Sequence, residues 1–87
     1  MRGNTNSPDD VLKIIIETLV DYPDLVRVEC TESQAAAVID VFVHKSDVGI
    51  VLGRSGSNAE ALRTVFKSIY GKLGKRLYLQ VAQLPEP

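Results

Sequence analysis

The chain has 87 residues, of which 45% are hydrophobic, and its formal net charge is −1 at pH 7. This length fits one domain, and this hydrophobic content is too high for an intrinsically disordered chain. The single cysteine excludes an internal disulfide and a cysteine-based zinc cluster, and the absence of an apolar run of about 20 residues excludes a membrane-spanning helix.

The first predicted element is a helix that follows a loose polar tail at residues 1–7. Ser7 is a suitable N-cap, Pro8 suits the first helical position, and acidic residues follow it. One side of this helix is apolar, through Leu12, Ile15, Ile16 and Leu19. Pro23 ends the helix, because a residue before proline is disfavoured in helical geometry. Ile14 falls on the opposite side, where we expect it to face water or a partner.

Two strands are predicted next, at residues 25–31 and 36–44, with a polar turn between them. Alternate residues share one face, namely Val26, Val28 and Cys30 in the first strand and Ile39, Val41 and Val43 in the second. Phe42 takes the other face of the second strand. The short polar connection predicts an antiparallel hairpin.

The second half of the chain begins with a short amphipathic helix, for which Ser46 is the expected N-cap. A glycine-containing stretch follows, and then a longer helix from Ser57 to about Leu73. Its expected inward residues are Leu62, Val65, Phe66, Ile69 and Leu73. Gly74 is expected to close this helix in a left-handed conformation. A third strand is predicted at residues 76–82, with Leu77, Leu79 and Val81 in phase.

The predicted order is therefore α-β-β-α-α-β. A two-helix crossover joins the strands at 36–44 and 76–82, and it is long enough to make them parallel. We expect a two-layer α/β domain in which three helices cover one face of a three-stranded mixed sheet. The domain should span residues 8–83, followed by a tail at residues 84–87.

The stretch Gly53-Arg54-Ser55-Gly56 is the main functional signal. Its spacing does not match the dinucleotide-binding fingerprint or the Walker phosphate loop. A helix C-cap followed by a turn would use the same residues. In a β-α-α-β context, however, the pattern is typical of the GXXG loop with which KH modules clamp a nucleic-acid backbone.

Physical chemistry favours an anionic ligand at this loop. The two glycines allow a sharp turn and a close approach, and the following helix begins with outward-pointing amides. Arg54 adds a charge, while Arg63 and Lys67 lie on one side of the long helix; they fit either RNA contacts or ordinary helix surface. Residues 45–76 hold seven basic residues against two acidic ones, whereas residues 1–44 hold three against eight. An apolar wall of Val48, Val51 and Leu52 is expected beside the loop.

The sequences VGIVLGRSGSNAEALRTVFKSI and GKRLYLQV resemble the small bacterial single-KH RNA-binding proteins of the KhpA type. This resemblance implies a type II KH fold, binding of single-stranded RNA at the loop and a cytoplasmic location. It also implies a homodimer, or a heterodimer with a second KH protein. Ile50, Ser57 and Glu60 stand where such proteins often carry basic residues. The candidate RNA-binding residues are Gly53, Arg54, Ser55, Gly56, Ile50, Val51, Ser57, Arg63 and Lys67.

No nucleophile–base pair and no set of metal ligands is visible in the sequence. We therefore expect no enzyme activity and no metal or cofactor. We also expect no membrane association and no small-molecule substrate. The expected function is RNA binding with low sequence specificity. The alternative is a KH-derived module for protein–protein interaction or dimerisation, which Ile14, Phe42 and the acidic N-terminal half would serve.

Overall fold

A computed structural model describes residues 7–85 of the chain. The helices and strands of this part are α1 (Pro8–Leu19), β1 (Arg27–Glu32), β2 (Ala36–Val43), α2 (Val48–Leu52), α3 (Ser57–Lys72) and β3 (Arg76–Gln83). Single 3-10 turns precede β1, α2 and α3, at Pro23–Leu25, Lys45–Asp47 and Arg54–Gly56. The predicted order α-β-β-α-α-β is confirmed. Residues 1–6 and 86–87 of the two predicted tails lie outside the described range.

The three strands form one mixed sheet in the order β1-β2-β3. β1 pairs with β2 in antiparallel register, with Cys30 opposite Ile39, and β2 pairs with β3 in parallel register, with Ile39 opposite Leu79. The hairpin and the parallel crossover are both confirmed. Because α2 and α3 lie within the crossover, the glycine-containing loop between them is carried over one face of the sheet.

The hydrophobic core lies between this face of the sheet and the helices. β2 alternates between buried and half-buried residues along its whole length, as a strand covered on one face does. The core is formed by Leu12 and Ile16 of α1, Phe66 and Tyr70 of α3, and inward residues of the strands, with Val51 of α2. Tyr78, on the uncovered face of the sheet, is 47% exposed. No helix within residues 7–85 is both long and apolar enough to cross a membrane.

α1 is shorter than the sequence predicts. It ends at Leu19 and not at Pro23, and Leu19 is exposed whereas the next residue, Val20, is buried. Ser7 occupies the N-cap position, but its hydroxyl donates to the Asp10 carboxylate instead of capping a backbone amide. The predicted outward orientation of Ile14 is confirmed by its 52% exposure.

The predicted inward side of α3 is confirmed in part, since Phe66 is buried and Leu62 and Ile69 pack against the core. Val65 and Leu73, which were expected inside, are 54% and 55% exposed, whereas Ala59 and Tyr70 are buried together with Phe66. Ala59, Phe66 and Tyr70 follow a helical spacing of seven and four residues, so they form one stripe that faces the sheet. Leu73 lies beyond the last helical turn. Gly74 has φ +77°, which confirms the predicted left-handed end of the helix.

Candidate nucleic-acid interface

The short helix α2 is fixed at its N-terminal end by Asp47, a carboxylate that is fully buried. The backbone N–H of Asp21 donates to Oδ1 of Asp47 at 3.1 Å, and the N–H of Tyr22 donates to Oδ2 at 3.0 Å. These bonds hold the chain after α1 in a turn, which explains why α1 ends before Pro23. The sequence analysis missed this role of Asp47, because nothing in the local pattern links residues 21 and 47.

The turn before α2 is capped by His44 and not by Ser46, contrary to the prediction. The backbone N–H of Ser46 donates to Nδ1 of His44 at 3.1 Å. His44 also packs against the ring of Tyr22, with 4.4 Å between the ring centroids. A histidine ring nitrogen thus does the work that we expected of a serine hydroxyl, and His44 has a structural role at this turn.

The loop between α2 and α3 consists largely of left-handed backbone. Gly53 has φ +77° and ψ 173°, Ser55 has φ +54° and ψ 28°, and Gly56 has φ +78° and ψ 12°. A Cβ at Gly53 would lie 2.7 Å from both the backbone nitrogen and the Cγ of Asn58, whereas a Cβ at Gly56 would meet no atom of the described part of the chain within 4 Å. Gly53 is therefore required both by conformation and by space, and Gly56 by conformation alone.

Asn58 connects the two sides of this loop. Its side-chain Nδ2 donates to the carbonyl oxygen of Ile50 at 3.0 Å. The backbone N–H of Gly53 donates to the carbonyl oxygen of Gly49 at 2.9 Å and closes α2. These two hydrogen bonds therefore fix the end of α2 against the start of α3, and the loop connects the two helices between them.

The N-terminus of α3 faces outward at the end of the loop. Gly56 occupies the N-cap position, and no side chain of residues 7–85 makes a capping hydrogen bond there. The N–H groups of Gly56 and Ser57 donate to the carbonyl oxygens of Gly53 and Arg54 in the preceding turn. The amides that follow in the first turn have no partner within an α-helix, and the helix dipole makes this end attractive to anions. Arg54, Ser55 and Ser57 are exposed around it. The arrangement suits a ligand with negatively charged oxygens.

The apolar residues beside the loop differ in their access to solvent. Val51 is fully buried in the core, so its side chain supports the loop from below and is not available to touch a ligand. This corrects the predicted wall, which included Val51. Ile50, Leu52 and Val48 are half-buried and remain accessible in part.

The predicted positive edge of α3 is also smaller than expected. Nε of Arg63 donates to the carbonyl oxygen of Leu79 at 3.2 Å, and its Nη1 donates to Glu60 Oε2 at the same distance. Arg63 therefore links α3 to β3 and is partly neutralised by Glu60. Lys67 is exposed one turn further along. Arg54 and Lys67 are the predicted basic residues that keep their charge open to a ligand.

The cysteine and the buried tyrosine of α3 lie outside this interface. Burial raises the pKa of the Cys30 thiol above its usual value, so the thiol stays protonated and is a poor nucleophile. Burial also raises the pKa of Tyr70, whose buried hydroxyl has no hydrogen-bond partner among the described residues 7–85. Within residues 7–85 no group of three or more potential ligands could hold a metal ion.

Sequence comparison finds one protein family along most of the chain. A model of the KhpA/KhpB KH domain matches residues 9–81. The RNA-binding protein KhpA of Aquifex aeolicus is 36% identical over 74 residues, which are 85% of this chain and 94% of that protein. The proteins of the same name from Oceanobacillus iheyensis and Mycobacterium bovis are 37% and 40% identical, over 82% and 72% of this chain and 95% and 79% of their own lengths.

Structural comparison finds the same fold inside larger proteins. A single-residue variant of Era from Aquifex aeolicus bound to GDP.AlF4- superposes with a TM-score of 0.62 at 17% sequence identity. Era in complex with MgGDPNP and nucleotides 1506-1542 of 16S ribosomal RNA gives a TM-score of 0.60 at 16% identity. Each match covers 99% of this chain, which spans only 38% and 37% of those chains. At such identities the likeness concerns the fold alone.

Proposed function

Because the chain belongs to the KhpA/KhpB KH-domain family, we propose that it binds single-stranded RNA on the loop at residues 53–56. Its α-β-β-α-α-β order and mixed sheet are those of the type II KH fold. Relatives that share this family are RNA-binding proteins by name. We further propose that the domain spans residues 8–83, acts in the cytoplasm and is not an enzyme.

The observation that carries this proposal is the geometry of the loop. A phosphate can approach the backbone at Gly56, where the space that a Cβ would take is open, whereas the same space at Gly53 is filled by Asn58 and lets the loop turn tightly. The first turn of α3, which has no side-chain cap, then presents the positive end of the helix dipole to the phosphate oxygens, although the N–H groups of Gly56 and Ser57 already donate to the preceding turn. The exposed Arg54 adds a full positive charge at the same place.

The proposed contacts predict weak binding with little sequence specificity. In this proposal Arg54, Ser55, Ser57 and Lys67 contact phosphates and sugars, which carry no sequence information. Bases can rest on the half-buried Ile50 and Leu52, whose apolar surfaces accept any base. Arg63 is assigned a structural role, because its guanidinium already binds Leu79 and Glu60.

A charge reversal at the loop tests this proposal. The double substitution Arg54→Asp and Ser55→Asp should abolish RNA binding, because two carboxylates would face the phosphates. The fold should survive, since both residues are exposed and Asp tolerates the left-handed conformation of Ser55 better than most residues. The measurement is a titration of labelled single-stranded RNA at low salt, with circular dichroism to check folding.

A matched control has the same change in charge on the uncovered face of the sheet. Arg27→Asp together with Thr31→Asp changes two exposed residues of β1, which lie outside the loop and α3. This control should bind RNA almost as well as the natural sequence. Equal affinities for the folded loop variant and the control would contradict the proposed role of the loop.

Self-association is a second proposed function, and the exposed apolar residues of the helices favour it. On α1, Val11 and Ile14 are 42% and 52% exposed, and on α3 Val65 is 54% exposed. We propose that the exposed apolar residues of α1 bind a second copy of the chain or a second KH protein. Ile14→Asp should then lower the sedimentation coefficient of the purified protein while RNA affinity per chain is unchanged. A monomeric natural protein would argue against the homodimer.

A further inference from the structure

We infer that Asn58 is a positioning residue for RNA binding, and that it holds the two ends of the loop at residues 53–56 in their binding geometry. The inference rests on the proposed function and names a residue that the GXXG pattern does not include. Asn58 acts through the backbone of the loop and not through a contact with RNA.

The first observation concerns the end of α2. A helix that stops at Leu52 leaves its last carbonyl oxygens without the amides that a longer helix would supply. The carbonyl oxygen of Gly49 accepts a hydrogen bond from the N–H of Gly53. In a longer helix the carbonyl oxygen of Ile50 would accept one from the N–H of Arg54, but the chain turns after Gly53 and moves that N–H out of reach. The Nδ2 of Asn58 takes the place of this amide at 3.0 Å.

The second observation is the contact of Asn58 with Gly53. The position that a Gly53 Cβ would occupy lies 2.7 Å from the backbone nitrogen of Asn58 and 2.9 Å from its Cβ. The first glycine of the loop therefore rests directly on Asn58. Together with the bond to Ile50, this contact places Asn58 across the base of the loop.

The consequence for binding is pre-organisation. Ser55 holds a left-handed conformation that is unfavourable for a residue with a side chain. A loop closed at its base loses less conformational freedom when a ligand orders it, and it therefore binds more tightly. Asn58 is half-buried, and an Nδ2 hydrogen already points at Ile50.

The test compares Asn58→Ala with Thr64→Ala in the full chain. The control also removes one side-chain hydrogen bond to a backbone carbonyl in α3, since Thr64 Oγ1 donates to the oxygen of Glu60 at 3.0 Å. Asn58→Ala should weaken the binding of single-stranded RNA by roughly threefold to tenfold, as expected for one hydrogen bond. Thr64→Ala should leave the affinity unchanged.

Hydrogen exchange in the absence of RNA separates positioning from direct contact. The amides of Gly56 and Ser57, which donate to the carbonyl oxygens of Gly53 and Arg54, should exchange faster in the Asn58→Ala protein, while the amides of β2 and β3 keep their natural rates. Asn58→Asp keeps the shape but cannot donate to Ile50, and an acidic residue in the first turn suits the helix dipole, so this variant should fold and show the same faster exchange. Unchanged loop exchange in both variants would overturn the inference.

The failure of this inference and the failure of the proposed function give different experimental results. Natural RNA affinity in a folded Asn58→Ala protein with a loosened loop would refute the importance of Asn58 for binding. If the natural protein does not bind RNA at all, the proposed function fails, and the positioning role in RNA binding fails with it, whatever the exchange rates.

Discussion

The two glycines of the loop should respond very differently to alanine. Gly53 has φ +77° and ψ 173°, a region that is essentially restricted to glycine and costs another residue on the order of 1–3 kcal/mol. The new methyl group would also lie 2.7 Å from the backbone nitrogen of Asn58, and overpacking of this kind costs roughly 1–3 kcal/mol more. These two costs sum to about 4 kcal/mol, and the less flexible unfolded chain returns about 0.4–1 kcal/mol, so Gly53→Ala should destabilise the fold by about 3.3 kcal/mol.

Gly56→Ala has only the left-handed conformation to overcome, because no atom of residues 7–85 lies within 4 Å of the new methyl group. That conformation costs about 1–2 kcal/mol, and the unfolded chain again returns about 0.4–1 kcal/mol, so this variant should lose about 0.8 kcal/mol. The difference between the two variants is then about 2.5 kcal/mol. For a domain of this size it corresponds to roughly 10–20 °C in Tm.

Thermal denaturation of both variants, followed by circular dichroism, measures this difference directly. RNA titration of whatever remains folded should show a larger loss for Gly53→Ala, since the first turn of α3 must move to make room. Gly56→Asn provides a further control, because asparagine tolerates the left-handed region. Equal Tm values for Gly53→Ala and Gly56→Ala would refute the steric reasoning.

Three further predictions concern salt, charge and pH. With Arg54 and Lys67 as the open basic contacts, the slope of log K against log salt for single-stranded RNA should be about −1.4, and a slope steeper than about −5 would mean a much larger basic surface. Ile50→Lys with Ser57→Arg and Glu60→Lys should tighten RNA binding at low salt and steepen this slope by about 0.7 per added charge; lost self-association in sedimentation without any gain in RNA affinity would instead favour the protein-interaction function. Burial raises the pKa of Tyr70 above its usual value of 10.0, so the unfolded chain releases the phenol proton more readily than the folded chain does. The contribution of Tyr70 to the free energy of unfolding should therefore be complete below about pH 10 and be lost as the pH rises above it. Tyr70→Phe should reduce this alkaline fall in Tm between pH 8 and pH 11, and an undiminished fall would assign it to other groups.

The strands and the loop could be predicted because their signals are local. Alternation along residues 36–44 placed Ile39, Val41 and Val43 inside, and the structure buries all three. The glycines of the loop were placed between two helices because their spacing interrupts two apolar patterns. In each case neighbouring residues in the chain contain the whole signal.

The orientation of α3 could not be predicted from its pattern. Val65 and Phe66 are adjacent, as are Ile69 and Tyr70, so two neighbouring stripes of the helix are almost equally apolar. Only packing against the sheet selects the stripe with Phe66 and Tyr70. The hydrogen bonds between Asp47 and Tyr22 and between Arg63 and Leu79 could not be predicted for a related reason, since each joins a side chain to a backbone group that is distant in sequence.

The parallel pairing of β2 with β3 has a consequence for the order of events during synthesis. The ribosome makes the loop before it makes β3, yet α3 packs against β3 and Arg63 binds its backbone. Until β3 emerges and pairs with β2, Phe66 and Tyr70 lack part of the core against which they pack, and the loop is not yet held in its folded conformation. A nascent chain should therefore acquire its affinity for RNA late and abruptly, when the crossover closes. A message that stalls within the codons for β3 would leave on the ribosome a chain that cannot yet bind RNA.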